Sequence, residues 1–148
     1  MIILDTTILS YAVGVEHPLR EPCRRLLTAH AEGLVEAATT IEVIQEFTHV
    51  RARRRSREDA VTLARRYMTA LALVVTQAED LTLGLTLYER YPALGAFDSI
   101  LAAVALNGNA EALVSADQAF GTVPHLPWID PATPAINRLI EAQHGADG

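Results

Sequence analysis

The chain has 148 residues, half of them hydrophobic, and a net charge of −6; that is one domain's length, with apolar content enough for a core, and it argues against disorder and against a general nucleic-acid coat. It has one cysteine, Cys23, and no lysine, its twelve formal cations all being arginines, which excludes a disulfide framework, a cysteine-rich zinc site and the lysine-dependent P-loop NTPases, Schiff-base enzymes and protein kinases. No apolar run reaches the roughly 18 residues of a membrane span, and Asp5 breaks the first apolar run with no basic segment ahead of it, so the expectation is a cytoplasmic protein with neither membrane segment nor secretory leader.

Residues 1–4 read as a buried strand, Thr6 to Val13 as a short helix and Gly14 to Pro18 as a loop. A helix is predicted from Leu19 to Ala31 and closed by Gly33. Leu34 to Ala38 reads as a second strand. Thr39 is placed as the N-cap of the next helix, with Glu42 in the capping-box position. Ser56 and Asp59 mark a helix start leading to Leu71, and Leu73 to Val75 reads as a third strand. Thr76 with Glu79 forms another capping box, opening a helix that ends near Tyr91. Asp98 falls in a helix closed by Asn107-Gly108. Ala112 to Val114 and Trp128-Ile129 complete the strands, and Ala135 to Gln143 reads as a terminal helix. Short apolar strands alternating with helices predict an α/β fold with a parallel sheet covered on both faces.

Four acids stand among apolar neighbours. They are Asp5 at the end of the first strand, Glu46 in Gln-Glu-Phe, Asp98 in Phe-Asp-Ser-Ile-Leu, and Asp117 in Val-Ser-Ala-Asp. Buried carboxylates are costly unless paired or bound to metal. In such a sheet, ligands gather beyond the carboxyl ends of the strands, where Asp5 and Asp117 fall. If the four converge, they offer an all-oxygen site suited to Mg²⁺ or Mn²⁺. Taken singly, each has another reading. Asp5 serves equally as a helix N-cap, Glu42 as a cap, Glu46 as a solvated residue beside Arg53 or Arg54, and Asp117 as the start of a turn. Asp98 resists this, because its helix has almost no other polar residue before Asn107. The run Arg51, Arg53, Arg54, Arg55, Arg57 can hold RNA phosphates or simply end a helix favourably for its dipole. His49 is as easily a helix-surface residue as one that touches RNA.

With these four motifs in this order, the chain resembles the PIN domain from Ile2 to about Trp128, in particular the small toxin ribonucleases of VapBC-type toxin–antitoxin pairs. Asp5 in Ile-Leu-Asp-Thr-Thr matches that family's opening strand and first acid; Glu46, Asp98 and Asp117 match the second, third and fourth. Two positions depart from the family's habit: Thr7 stands where Asn is common, and Ser115 where Thr is common. Both keep a hydroxyl. The resemblance implies a single PIN domain over residues 1–148, a three-layer α/β/α sandwich around a central parallel sheet of four to five strands. It implies a Mg²⁺- or Mn²⁺-dependent endoribonuclease whose catalytic residues are Asp5, Glu46, Asp98 and Asp117. Asp5, Asp98 and Asp117 would hold metal, with Thr6, Thr7 and Ser115 as supporting donors and Glu42 binding through water or acting as a cap. Arg51, Arg53, Arg54 and Arg55 would contact RNA. The implied partners are an RNA substrate, a cognate antitoxin and a second copy in a homodimer. Two other readings stay open: a non-catalytic PIN-like binding scaffold, and a phosphatase using Asp5 as nucleophile, which typically wants an Asp at the position of Thr7 and a lysine this chain lacks.

Overall fold

The computed structural model describes residues 1–144. Five short strands, β1 (Ile2–Leu4), β2 (Ala37–Thr40), β3 (Ala72–Val74), β4 (Ala112–Val114) and β5 (Trp128–Ile129), form one all-parallel sheet in the order β3-β2-β1-β4-β5. Among the described residues, seven helices connect and cover them: α1 (Thr6–Val13), α2 (Arg20–Ala31), α3 (Ile41–Arg54), α4 (Arg57–Ala70), α5 (Ala78–Arg90), α6 (Ala96–Asn107) and α7 (Ala135–His144). A 3-10 turn spans Gln118–Thr122. None of the described helices is long and apolar enough to cross a membrane.

The centre of the sheet is apolar on both faces. Every residue of β1 and β4 is buried, as are Ala37 and Ala38. Leu9 from α1, Leu26 from α2, Phe47 from α3 and Leu101 from α6 pack around them. Burial on both faces explains why β1 and β4 read as unbroken apolar runs rather than alternating ones. The chain grows outward from β1 through β2 to β3, then crosses back to place β4 on β1's other side. The β1/β4 boundary is therefore the topological switch point, and the crevice beyond its carboxyl end is where a ligand fits.

Several predicted boundaries shift; β3, for one, is Ala72–Val74 rather than Leu73–Val75. The second strand is Ala37–Thr40 rather than Leu34–Ala38. Gly33, at φ +76°, turns the chain out of α2, and Leu34 N–H closes that turn on the Ala29 carbonyl at 2.8 Å. The His30 ring then holds the next residues, accepting from Ala37 N–H at 3.1 Å and donating to the Ala70 carbonyl at 2.8 Å. Thr39 lies in the strand, its hydroxyl donating to the Leu4 carbonyl at 2.8 Å, so the cap of α3 falls one residue later, on Thr40. The capping box of α5 likewise slips by one: Gln77 N–H donates to Asp80 at 2.8 Å, and Thr76 is released to another partner.

Candidate active site

Asp5 follows the last residue of β1, and its own N–H donates to the Val114 carbonyl at 3.1 Å, so β4 fixes its backbone. Its side chain caps α1, and its residue is only 4 % exposed. One carboxylate oxygen, Oδ2, accepts from the Thr7 hydroxyl at 2.9 Å and the Ser115 hydroxyl at 2.7 Å. Those donors are themselves pinned. Ala116 N–H donates to Thr7 Oγ1 and Asp117 N–H to Ser115 Oγ, each at 3.0 Å, and the Trp128 indole donates to the Ser115 carbonyl. The two hydroxyls thus stitch the ends of β1 and β4 together around Oδ2 of Asp5.

The other three acids arrive from separate elements. Glu46 lies on the second turn of α3, exposed, and accepts from the Thr6 hydroxyl at 3.0 Å. Asp117 precedes the 3-10 turn and accepts from Ala119 N–H at 2.9 Å. Asp98 sits in the first turn of α6, half-buried. Its carboxyl is pushed up from 3.8 to about 7, first by burial, then by the charges of Asp5, Asp117 and Glu46, and by a hydrogen bond shared with Asp117. Like charges disfavour ionisation of a carboxyl, so Asp5, Asp117 and Glu46 add to the effect of burial. The ion pairs among the described residues, Met1–Glu111 and Arg51–Asp59, include none of the four.

A cluster of oxygen donors with no internal counter-charge fits a hard divalent cation. Among the described residues, no group of three His, Cys, Asp or Glu side chains stands close enough together to hold a metal ion as placed.

A cleft of about 680 Å³ opens beside the cluster, lined by Asp5, Glu46 and Asp98 and by Gln45, His49, Thr76, Leu81 and Phe97. Glu42 also lines it, but its carboxylate accepts from the Thr76 hydroxyl at 3.1 Å, tying α3 to the start of α5 across the cleft rim. Asp117 does not line it. Among the lining residues that are not acids, the sequence raises only His49 as a candidate for RNA. Phe97 and Thr76 carry no such signal, because neither exposure nor the meeting of distant segments is written in local spacing.

The arginines divide. Arg51 is engaged inside the fold, donating to both carboxylate oxygens of Asp59 and to the Val13 carbonyl at 3.1 Å; its guanidinium holds the Asp59 carboxyl below its usual value. Arg53, Arg54 and Arg55 are exposed at the end of α3. We expect Arg51→Ala to lower the melting temperature by several degrees. Replacing Arg53, Arg54 and Arg55 together should leave melting unchanged but weaken RNA binding and flatten its salt dependence, by about one unit of slope for each phosphate no longer neutralised. Equal salt slopes for the triple variant and the wild type, in a binding titration, would remove the three from the RNA path.

The sequence pattern of the PIN domain matches residues 2–126. Ribonuclease VapC7 of Mycobacterium tuberculosis is 51 % identical over 142 residues, covering 95 % of this chain and 98 % of the relative. Among solved structures, VapBC2 from Rickettsia felis bound to a promoter DNA fragment aligns with a TM-score of 0.71 at 20 % identity, over 88 % of this chain and 98 % of that one. A toxin–antitoxin complex from Klebsiella pneumoniae aligns with a TM-score of 0.66 at 17 % identity, over the same shares of each chain. The two structures share the fold, while the sequence match carries the family: the chain belongs to the PIN-domain family and is a homologue of the VapC ribonucleases.

Proposed function

We propose that this chain, as one PIN unit over its whole length, is a Mg²⁺- or Mn²⁺-dependent endoribonuclease, the toxin of a toxin–antitoxin pair acting in the cytoplasm. The observation that carries the reading is the set of acids at the sheet's switch point, absent from the ion pairs of the described residues, with Asp5, Glu46 and Asp98 lining one cleft. It is joined by the 51 % identity to a ribonuclease over nearly the whole of both chains.

In this mechanism Asp5, Asp98 and Asp117 would hold the cation, Asp5 being oriented by the Thr7 and Ser115 hydroxyls. Held there, Mg²⁺ or Mn²⁺ would supply Lewis acidity, making a water more acidic and offsetting charge on the phosphoryl oxygens. Glu46, which accepts from the Thr6 hydroxyl and lines the cleft, would orient the attacking water or accept its proton. Arg53, Arg54 and Arg55 draw RNA phosphates to the far end of α3. Glu42 supports the rim through Thr76 rather than the chemistry. Glu46→Gln should therefore slow cleavage at least about tenfold more than Glu42→Gln, as removal of a general base or orienting group does. A kinetic assay giving the reverse order would make Glu42 the second acid.

The solved relatives are toxin–antitoxin assemblies, and the cleft suits an antitoxin segment that offers a basic side chain to the acids. A homodimer is supported by an exposed apolar stripe on α5, where Leu81, Leu85 and Tyr88 share one face. The deciding experiment is RNA cleavage by the purified chain. Cleavage should appear with Mg²⁺ or Mn²⁺ and stop on adding EDTA. Undiminished cleavage in EDTA would remove the metal from the mechanism, and no cleavage in any divalent cation would leave the non-catalytic scaffold.

A further inference from the structure

RNA approaching four carboxylates meets repulsion, not attraction. The exposed arginines lie at least seven residues beyond Glu46 on α3, about 10 Å along the helix, so they steer the chain without gripping the nucleotides at the cut. Something uncharged must hold those nucleotides. The cleft supplies it, since Val43, Leu81, Phe97, Ile100 and Leu101 line it beside the acids. Phe97 stands out among them. It is 80 % exposed, the most exposed large hydrophobic side chain described, and it directly precedes Asp98 in the first turn of α6. The stripe Leu81–Leu85–Tyr88 runs along α5, and only its first member reaches the cleft, so Phe97 belongs to the acidic cleft more than to that stripe.

Resting on the ribonuclease reading above, we infer that Phe97 is the stacking face for the nucleobase next to the scissile phosphate, and a determinant of which base is preferred there. An aromatic ring offers attraction that survives both salt and the local negative charge, because base stacking does not depend on phosphate neutralisation. It also fixes the sugar–phosphate chain one residue from Asp98, so a small misplacement of the ring's partner is felt at the reacting atoms.

The test begins by mapping cut ends in total cellular RNA with the wild-type chain and synthesising the best-cut sequence with 2-aminopurine beside the cut. In an Asp98→Asn background, binding should quench the 2-aminopurine. Adding Phe97→Ala should abolish the quench and raise Kd about ten- to a hundred-fold, with an unchanged salt slope, whereas Phe97→Trp should restore both. In the otherwise wild-type chain, Phe97→Ala should flatten the base preference at that one position. If the wild type cuts RNA but Phe97→Ala leaves quench, Kd and base preference intact, the stacking inference falls and the nuclease stands. If Phe97→Ala changes the molecular mass in sedimentation, Phe97 joins two copies of the chain and the inference falls. A wild type that cuts nothing overturns both readings.

Discussion

Asp98→Asn should reduce RNA cleavage by roughly a hundred- to a thousand-fold, the scale for removing one preorganised electrostatic interaction from a transition state, and should make the metal-free protein melt higher at pH 8. The two effects share one cause. Asp98's carboxyl stands at about 7 against an ordinary 3.8, so the folded state binds this proton more tightly than the unfolded chain does. Stability is unaffected below about pH 4, falls as pH rises from there to about 7, and carries the full penalty above. Asparagine has no proton to lose and can still donate to Asp117. The gain from the substitution should therefore be near zero at about pH 4 and about 1–2 kcal/mol at pH 8, the raw shift being discounted because the group is only half-buried. For a chain of this size that is about 3–6 °C in melting temperature. Saturating Mg²⁺ should erase or invert the difference, since only the wild type gains from binding it strongly. Asp5→Asn should match the loss of cleavage, because asparagine still caps α1 and still accepts from Thr7 and Ser115. A melting difference between Asp98→Asn and wild type that stayed flat from pH 4 to 8 would mean the four acids do not face one another.

The elements most legible in the sequence were those whose cause is local. β1 and β4 stand at the centre of the sheet, where apolar side chains are needed on both faces, and their runs read directly; α1 and β4 fall on their expected residues. The cap of α4 was also local, Ser56 accepting from Asp59 N–H at 3.1 Å. β2 was harder, since Ala37-Ala38-Thr39-Thr40 is barely hydrophobic and its start is set by a histidine ring seven residues earlier and by the end of α4. The four acids could be chosen as a set because each broke an apolar context. Their partners could not be assigned by spacing alone: Thr76 joins Glu42 across 34 residues, and Arg51 reaches Val13 across 38. That last hydrogen bond puts Arg51 inside the fold while its neighbours in the same run face solvent, a division invisible in a string of like residues.

The same invisibility applies to Gly84, where we expect substitution to destabilise the fold. Gly84 lies in α5 where that helix crosses α6. A Cβ built there would come within 2.8 Å of Ile100 Cγ1, 2.9 Å of Ile100 Cα and 3.2 Å of Ile100 N. The helices touch because this position has no side chain. Gly84→Ala gains helix propensity of up to about 1 kcal/mol, but overpacking against backbone costs about 1–3 kcal/mol or more, and the backbone of α6 is anchored to the sheet through buried Leu101, Ala102 and Ala105. We expect a net loss of roughly 1–2 kcal/mol, and more for Gly84→Val, which adds a β-branch to the same clash. Ile100→Ala should not rescue it, because removing Cγ1 leaves the clash with the backbone of residue 100 in place; a full rescue would show that only side chains conflict and that the helices can part freely. Asp98 sits two residues before Ile100 on α6, so parting the helices moves a carboxylate relative to Asp5, Glu46 and Asp117. Cleavage by Gly84→Ala should fall at temperatures well below its melting point, with kcat reduced more than KM is raised, as expected when the reacting groups rather than the RNA-binding surface are displaced.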